Sequence, residues 1–169
     1  MEQVGTEVGI RGGGTYEIRD RAGNLKASGR WRNAATTVGR NLMLNAMFRG
    51  TTPSTTWYVG LIDNSPAPSL AAADTMASHA GWAESTVYGN AGRPAWAPGA
   101  AASSVLSAAA TAHAINGSAT IYGFFITDVN TKGGATGNLW ATGAFDTPQA
   151  VVNTDTITGT YETELQAVA

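Results

Sequence analysis

The sequence predicts an all-β protein, either a β-sandwich or a jelly-roll-like barrel, with an N-terminal β-hairpin and one or two short helices. Three features favour this class: many short β-like segments, turn residues about every ten positions, and little helical periodicity. The clearest strand covers residues 156–165, where Thr and Glu alternate with mostly apolar residues, as on a sheet with one wet face. Residues 57–63 and 120–127 are apolar on both faces, which predicts central strands.

The chain length fits a single domain with three parts. It has 169 residues, and residues 1–14 are polar and glycine-rich, which predicts a flexible N-terminal arm. Residues 15–50 are predicted to form the hairpin and a short helix, continuous with the main domain. Residues 51–169 are predicted to form the β-sandwich or jelly-roll-like body.

The hairpin is predicted from a change of pattern within the N-terminal part. Residues 15–19 alternate apolar and polar side chains, residues 20–24 favour a turn, and residues 25–31 form the returning strand.

A helix is predicted over residues 39–48, with Thr36 or Thr37 as its N-cap and Gly50 as its stop. Residues 69–77 form either a second short helix or an alanine-rich loop. The first helix carries large apolar residues four positions apart, which predicts that they pack in the core. These residues are Met43, Leu44, Met47 and Phe48.

The remaining strands are shorter and less regular. They are predicted at residues 84–88, at 93–97 (paired across the turn 89–92), up to about residue 115, and at 138–145.

The composition favours a protein that is packed against copies or partners. Charged residues make up 13% of the chain, against roughly 25% in typical domains, so much of the surface consists of small neutral residues. Cysteine is absent, which excludes disulfides, thiol nucleophiles and zinc–cysteine sites. Residues 1–14 lack the apolar segment of a signal peptide, and no run predicts a membrane span.

The charge is distributed unevenly along the chain. Residues 1–50 hold eight basic and four acidic side chains, whereas the remainder holds two basic and eight acidic ones. The basic part favours either docking on an acidic surface or a solvated hairpin that carries arginine. The proposed contacts are Arg30, Trp31 and Arg32. Nucleic-acid binding is not expected, because the chain is acidic overall and its arginines lack interleaved aromatics other than Trp31.

The titratable residues do not form a recognisable catalytic or metal-binding motif. Asp74, His79 and Glu84 are five positions apart, which places them on neither one helix face nor one strand face. Ser78 beside His79 lacks the G-x-S-x-G elbow of a serine hydrolase. Pairs of carboxylates for glycoside cleavage, drawn from Asp63, Asp74 and Glu84, are not distinguished from ordinary turn acids. We therefore expect no catalytic residues, no metal site and no cofactor.

The tryptophans allow two interpretations, core packing or an exposed platform for sugars or a partner. Core packing is favoured for Trp57 and Trp140. Trp96 lies between Pro94 and Pro98 in a turn-rich region, so it is the predicted exposed ring and the fourth proposed contact.

Several stretches together resemble the structural proteins of tailed bacteriophages. They are the hairpin Tyr16-Glu17-Ile18-Arg19-Asp20 with Gly23-Asn24, the run Tyr58-Val59-Gly60-Leu61-Ile62, the segment from Asp74 to Glu84 with Tyr88 and Arg93-Pro94, and Ile121-Tyr122-Gly123-Phe124-Phe125 with Gly137-Asn138-Leu139. The resemblance covers most of the chain and is one of pattern.

The resemblance implies a non-enzymatic virion component present in many copies. The first expectation is a capsid decoration (cement) protein on the capsid surface, assembled in the host cytoplasm. It would bridge major capsid subunits and contact copies of itself as a dimer or trimer, with no nucleic-acid or membrane partner. The alternatives are a tail or fibre-associated receptor-binding protein and a carbohydrate-binding or hydrolytic β-domain.

Overall fold

A computed structural model describes residues 7–168, which form one curled antiparallel sheet and a single helix. The helix, α1 (Thr37–Arg49), lacks the length and apolarity needed to cross a membrane, and it is the only helix in this part of the chain. The strands are β1 (Glu7–Arg19), β2 (Leu25–Ala35), β3 (Trp57–Asp63), β4 (Glu84–Ser85), β5 (Ala95–Trp96), β6 (Val105–Ser107), β7 (Thr111–Ala114), β8 (Ala119–Thr127), β9 (Leu139–Val151), β10 (Thr156–Gly159) and β11 (Glu162–Val168).

The sheet follows the order β4-β3-β8-β9-β2-β1-β10-β7 and curls into a half-barrel. β5 pairs with β3, and β11 pairs with both β1 and β6. The all-β class with an N-terminal hairpin is therefore confirmed. The hairpin and the body belong to the same sheet, because β2 pairs with β9.

The predicted flexible arm is wrong for residues 7–14. These residues belong to β1, which pairs with β11 over residues 7–13 and with β2 from Gly12 onwards. Glycine is needed here because adjacent segments of the backbone approach closely: a Cβ on Gly14 would lie 2.1 Å from the carbonyl oxygen of Thr160. The rest of the predicted arm, residues 1–6, lies outside the described residues.

The predicted final strand over residues 156–165 is interrupted. β10 and β11 lie end to end along the same side of β1, and Thr160 and Tyr161 separate them. The Thr160 hydroxyl accepts a hydrogen bond from the backbone N–H of Thr15 at 2.8 Å, while Tyr161 turns into the core. The contact between Thr160 and Thr15 thus interrupts the strand, although the alternation of side chains continues in the sequence.

The shorter predicted strands differ in extent and partner. Residues 84–88 shorten to β4, and β5 pairs with β3 instead of pairing across the turn. The segment before residue 115 splits into β6 and β7. Residues 69–77 form a loop of turns, so the alternative of a second helix there is wrong.

Helix α1 has the predicted N-cap and stop residue, and it is two residues longer at its start and one longer at its end than the predicted 39–48. The Thr36 side chain accepts a hydrogen bond from the N–H of Gly39 at 3.0 Å, which satisfies one of the free donors of the first turn. Gly50 ends the helix in the left-handed conformation, with φ of 65°.

The predicted core stripe of α1 is wrong. Leu44, Met47 and Phe48 are 48%, 67% and 75% exposed. The helix contacts the sheet through Gly39, where a Cβ would lie 2.5 Å from the carbonyl oxygen of Trp140. The face that contains Gly39 and Met43 therefore points to the sheet, and the larger side chains face outwards.

The core consists of two clusters on opposite faces of the sheet. The larger cluster fills the half-barrel with stacked aromatic rings, including Trp31 against Tyr161 at 5.3 Å and Tyr16 against Phe145 at 4.0 Å. The smaller cluster lies under the loop between β3 and β4, where Trp82 packs on Phe125. Trp82 is buried at the centre of this smaller cluster.

His113 is a fully buried titratable group in the larger cluster. Its Nε2 lies 3.0 Å from the carbonyl oxygen of Val59, so the neutral ring donates this hydrogen bond across the half-barrel. Burial lowers the pKa of His113 from 6.5 to about 4.

This shift predicts a loss of stability in mild acid. The unfolded chain binds a proton at His113 below about pH 6.5, whereas the folded chain does so only near pH 4, so stability falls as pH falls through this window. The expected contribution is about 3 kcal/mol, and His113→Gln should remove it from the urea-unfolding profile. An unchanged pH slope in His113→Gln would contradict this assignment.

Candidate functional site

An apolar groove opens at one end of the half-barrel, between α1 and the paired ends of β1 and β11. We call it the aromatic groove; its volume is about 310 Å³. It is lined by Ile10, Met43, Trp57, Trp96, Ala101, Ser104, Leu106, Trp140, Thr163, Glu164 and Leu165. Concave apolar surfaces with aromatic walls are the usual form of a binding site in proteins.

Tyr161 fixes the floor of the aromatic groove. Its carbonyl oxygen accepts a hydrogen bond from Trp96 Nε1 at 3.1 Å, and its hydroxyl accepts one from Trp140 Nε1 at 2.6 Å. The hydroxyl also accepts from Asn33 Nδ2 at 2.9 Å. Burial raises the pKa of Tyr161 to about 12, so the hydroxyl stays protonated near neutral pH.

Exposed apolar side chains lie on the elements that border the groove. They come from α1 on one side and from the β1–β11 pair on the other: Leu44, Met47, Phe48, Val8 and Leu165. We call them the apolar rim. Exposed apolar side chains on elements that border a groove are typical of protein–protein contact sites.

A basic surface lies on the outer face of the sheet, next to the aromatic groove. Arg30 and Arg32 extend from β2 and are exposed, and Arg11 extends from β1 nearby. They border a shallow basin of about 480 Å³ over Gly13, together with Glu162 and Glu164. Among the described residues, none of the three arginines lies within ion-pair distance of a carboxylate.

The two tryptophans among the four predicted contacts are buried, which corrects that prediction. Trp31 is 2% exposed, because strand alternation turns it inwards between the two exposed arginines, and its Nε1 donates to the carbonyl oxygen of Thr160. Trp96 is 4% exposed, because β5 pairs with β3 and places the ring against Tyr161. Both indole rings therefore belong to the core beneath the proposed contact surfaces.

Asp74 and His79 both contact Trp82, whereas Glu84 is engaged with a different partner. Asp74 accepts hydrogen bonds from Trp82 Nε1 at 3.0 Å and from the N–H of Ala71 at 2.9 Å. The His79 ring stacks on Trp82 with 4.0 Å between centroids. Within residues 7–168, no group of three His, Asp or Glu side chains is placed to hold a metal ion.

Glu84 instead forms a buried, two-bond ion pair with Arg93. Arg93 Nε and Nη2 donate to the two carboxylate oxygens at 2.9 and 2.7 Å, and the arginine side chain is 0% exposed. Arg93 also donates to the carbonyl oxygens of Val129 and Gly134, and the N–H of Gly133 donates to Glu84. The pair thereby holds the glycine-rich loop after β8 against the sheet.

Sequence reasoning missed Tyr161, Arg93 and His113 as organising residues. Tyr161 has one detectable signal: it is the largest residue on the inner side of the alternating segment 156–165. The other two carry no local signal, because their partners lie 9 to 54 positions away along the chain. No family model matches this chain, and no curated protein matches it significantly.

The Glu84–Arg93 pair predicts a large difference between two isosteric substitutions. Glu84→Gln leaves a buried guanidinium without its counter-charge and should lower the free energy of unfolding by about 3 kcal/mol. Glu17→Gln, which alters the exposed Glu17–Arg19 pair, should cost less than about 0.5 kcal/mol. Urea unfolding of both variants checks this. Equal small losses would show that the buried pair has no net role in stability.

Proposed function

We propose that this protein is a structural component of a tailed-phage virion that decorates the capsid shell. It docks on the major capsid protein, contacts copies of itself and carries out no catalysis. The pattern shared with phage structural proteins supports this proposal, as does a surface low in charge. In this proposal the protein lies on the outer surface of the capsid.

One observation carries the proposal: two chemically different contact surfaces lie side by side on a single rigid sheet. The aromatic groove is on the inner side, and the basic surface is on the outer side; Ile10 and Glu164 border both. A protein that bridges two partners needs two such surfaces in a fixed relation. Modest contacts then suffice, because neighbours already fixed on a lattice raise the effective concentration.

A second candidate is a tail or fibre module that binds host glycans. The partly exposed rings of Trp57 and Trp140 in the aromatic groove favour it, because sugars stack on aromatic faces. Trp96, the ring first considered for this role, is buried and makes no free platform.

The copy number in purified virions distinguishes the two candidates. A decoration protein should be present at a level comparable to that of the major capsid protein, measured by quantitative mass spectrometry. A number far below that level would exclude decoration and favour the tail. Binding to a glycan array, lost on Trp57→Ala, would support the second candidate further.

Docking through the basic surface predicts that charge reversal weakens binding. Arg30→Glu and Arg32→Glu should each lower affinity for virions stripped of this protein by about tenfold, because attraction becomes repulsion. Arg21→Glu, in the exposed turn of the same hairpin, is the matched control with the same charge change. Co-sedimentation at several salt concentrations measures the effect. Equal binding by all three variants would contradict docking through β2.

A further inference from the structure

The first part of β1 is an open sheet edge. Residues 7–11 pair with β11 on one side only, because β2 begins to pair with β1 at Gly12, opposite Asn33. No strand within residues 7–168 pairs with the other side of this segment. An unprotected edge of this kind is a template for a further strand.

The backbone groups that face the open edge belong to Val8 and Ile10. The carbonyl of Arg11 accepts a hydrogen bond from the Thr163 hydroxyl at 3.3 Å, so the backbone of Arg11 faces β11. Backbone groups of successive residues face opposite sides of a strand, so Gly9, like Arg11, faces β11, and its two neighbours face outwards. Two N–H and two C=O groups are therefore available to a partner.

The side chains beside this edge leave an apolar surface uncovered. Val8 is 70% exposed, and Ile10 lies on the same face and lines the aromatic groove. Across the β1–β11 pair, Ile10 is opposite Leu165, which is 40% exposed, and Val8 is opposite Ala167. A strand added at the edge would extend this apolar face.

We infer that the open edge pairs with the same edge of a second copy of the chain, antiparallel and centred on Gly9. In this register, residue 8 of one copy is opposite residue 10 of the other, which gives two apolar cross-strand pairs. Residue 7 is opposite residue 11, and the sequence places an acid at the first position and a base at the second. The segment is therefore complementary to itself in charge as well as in apolar character.

The backbone geometry agrees with this register. The outward N–H and C=O groups of Val8 bond to those of Ile10 in the second copy, and those of Ile10 bond to Val8 of that copy. The two residue pairs make four hydrogen bonds around a two-fold axis. Gly9 meets Gly9 at the close, non-hydrogen-bonded position, where side chains would crowd the axis. The pairing stops at residue 11, because Gly12 is already bonded to β2.

This inference specifies the site of the self-contact in the proposed function and rests on that proposal only for its biological setting. The inference is tested with the purified full chain. If it fails, docking on the capsid is unaffected, because the virion measurements test docking separately. Sedimentation equilibrium of the wild-type chain should show a dimer. A wild-type chain that stays monomeric up to about 100 µM would overturn the inference.

Val8→Pro is the sharpest variant. Proline removes one outward N–H and leaves the hydrogen bonds to β11 in place, so the chain should keep its fold, shown by circular dichroism, and become monomeric. Val8→Thr keeps the N–H and should remain a dimer. A folded Val8→Pro chain that still forms dimers would overturn the inference, because the contact would then lie elsewhere.

A charge exchange tests the register of the proposed pairing. It also tests whether the dimer forms at this edge if Val8→Pro does not fold. Glu7→Arg and Arg11→Glu should each weaken the dimer about tenfold, since two attractive pairs become repulsive. The double variant should restore wild-type affinity. Restoration identifies a second copy in this register as the partner. Failure of the double variant to restore the dimer would overturn the proposed pairing, as would an edge that binds only a strand from a different protein.

Discussion

The hydrogen bonds that converge on Tyr161 hold the open end of the half-barrel together. They tie the indoles of β5 and β9 and the Asn33 amide of β2 to one residue at the break between β10 and β11. An indole N–H buried without a partner costs about 1–3 kcal/mol, so each ring is held in the one position that satisfies it. The floor of the aromatic groove is thus set by the core.

Because the aromatic rings are used in the core, other side chains make up the surface. The rings of Trp31, Trp96 and Tyr161 are turned inwards, and the chain has few charges to place outside. Five of the seven large apolar side chains that are exposed in the described part of the chain are on α1 and along the β1–β11 pair. This pair also carries Arg11, which has no ion-pair partner among the described residues. A scaffold of this kind is suited to lasting contact with neighbours and would be poorly protected against association if it stayed alone.

The strands and the helix ends were predictable because they depend on local rules. Runs that are apolar on both faces identified the strands at 57–63 and 120–127, and Thr36 and Gly50 identified the ends of α1. The burial of specific side chains was not predictable. Phe48 is exposed because Gly39 makes the contact with Trp140, a pairing that no local pattern encodes. In the candidate site, Arg30 and Arg32 are on the surface as expected, whereas flanking prolines falsely suggested exposure for Trp96.

Electron cryomicroscopy of intact virions tests the central claim most directly. The account predicts density for this half-barrel on the outer surface of the capsid, with the β2 arginines facing the shell and the aromatic groove end facing a neighbouring subunit. The protein located in the tail, or absent from the particle, would contradict it.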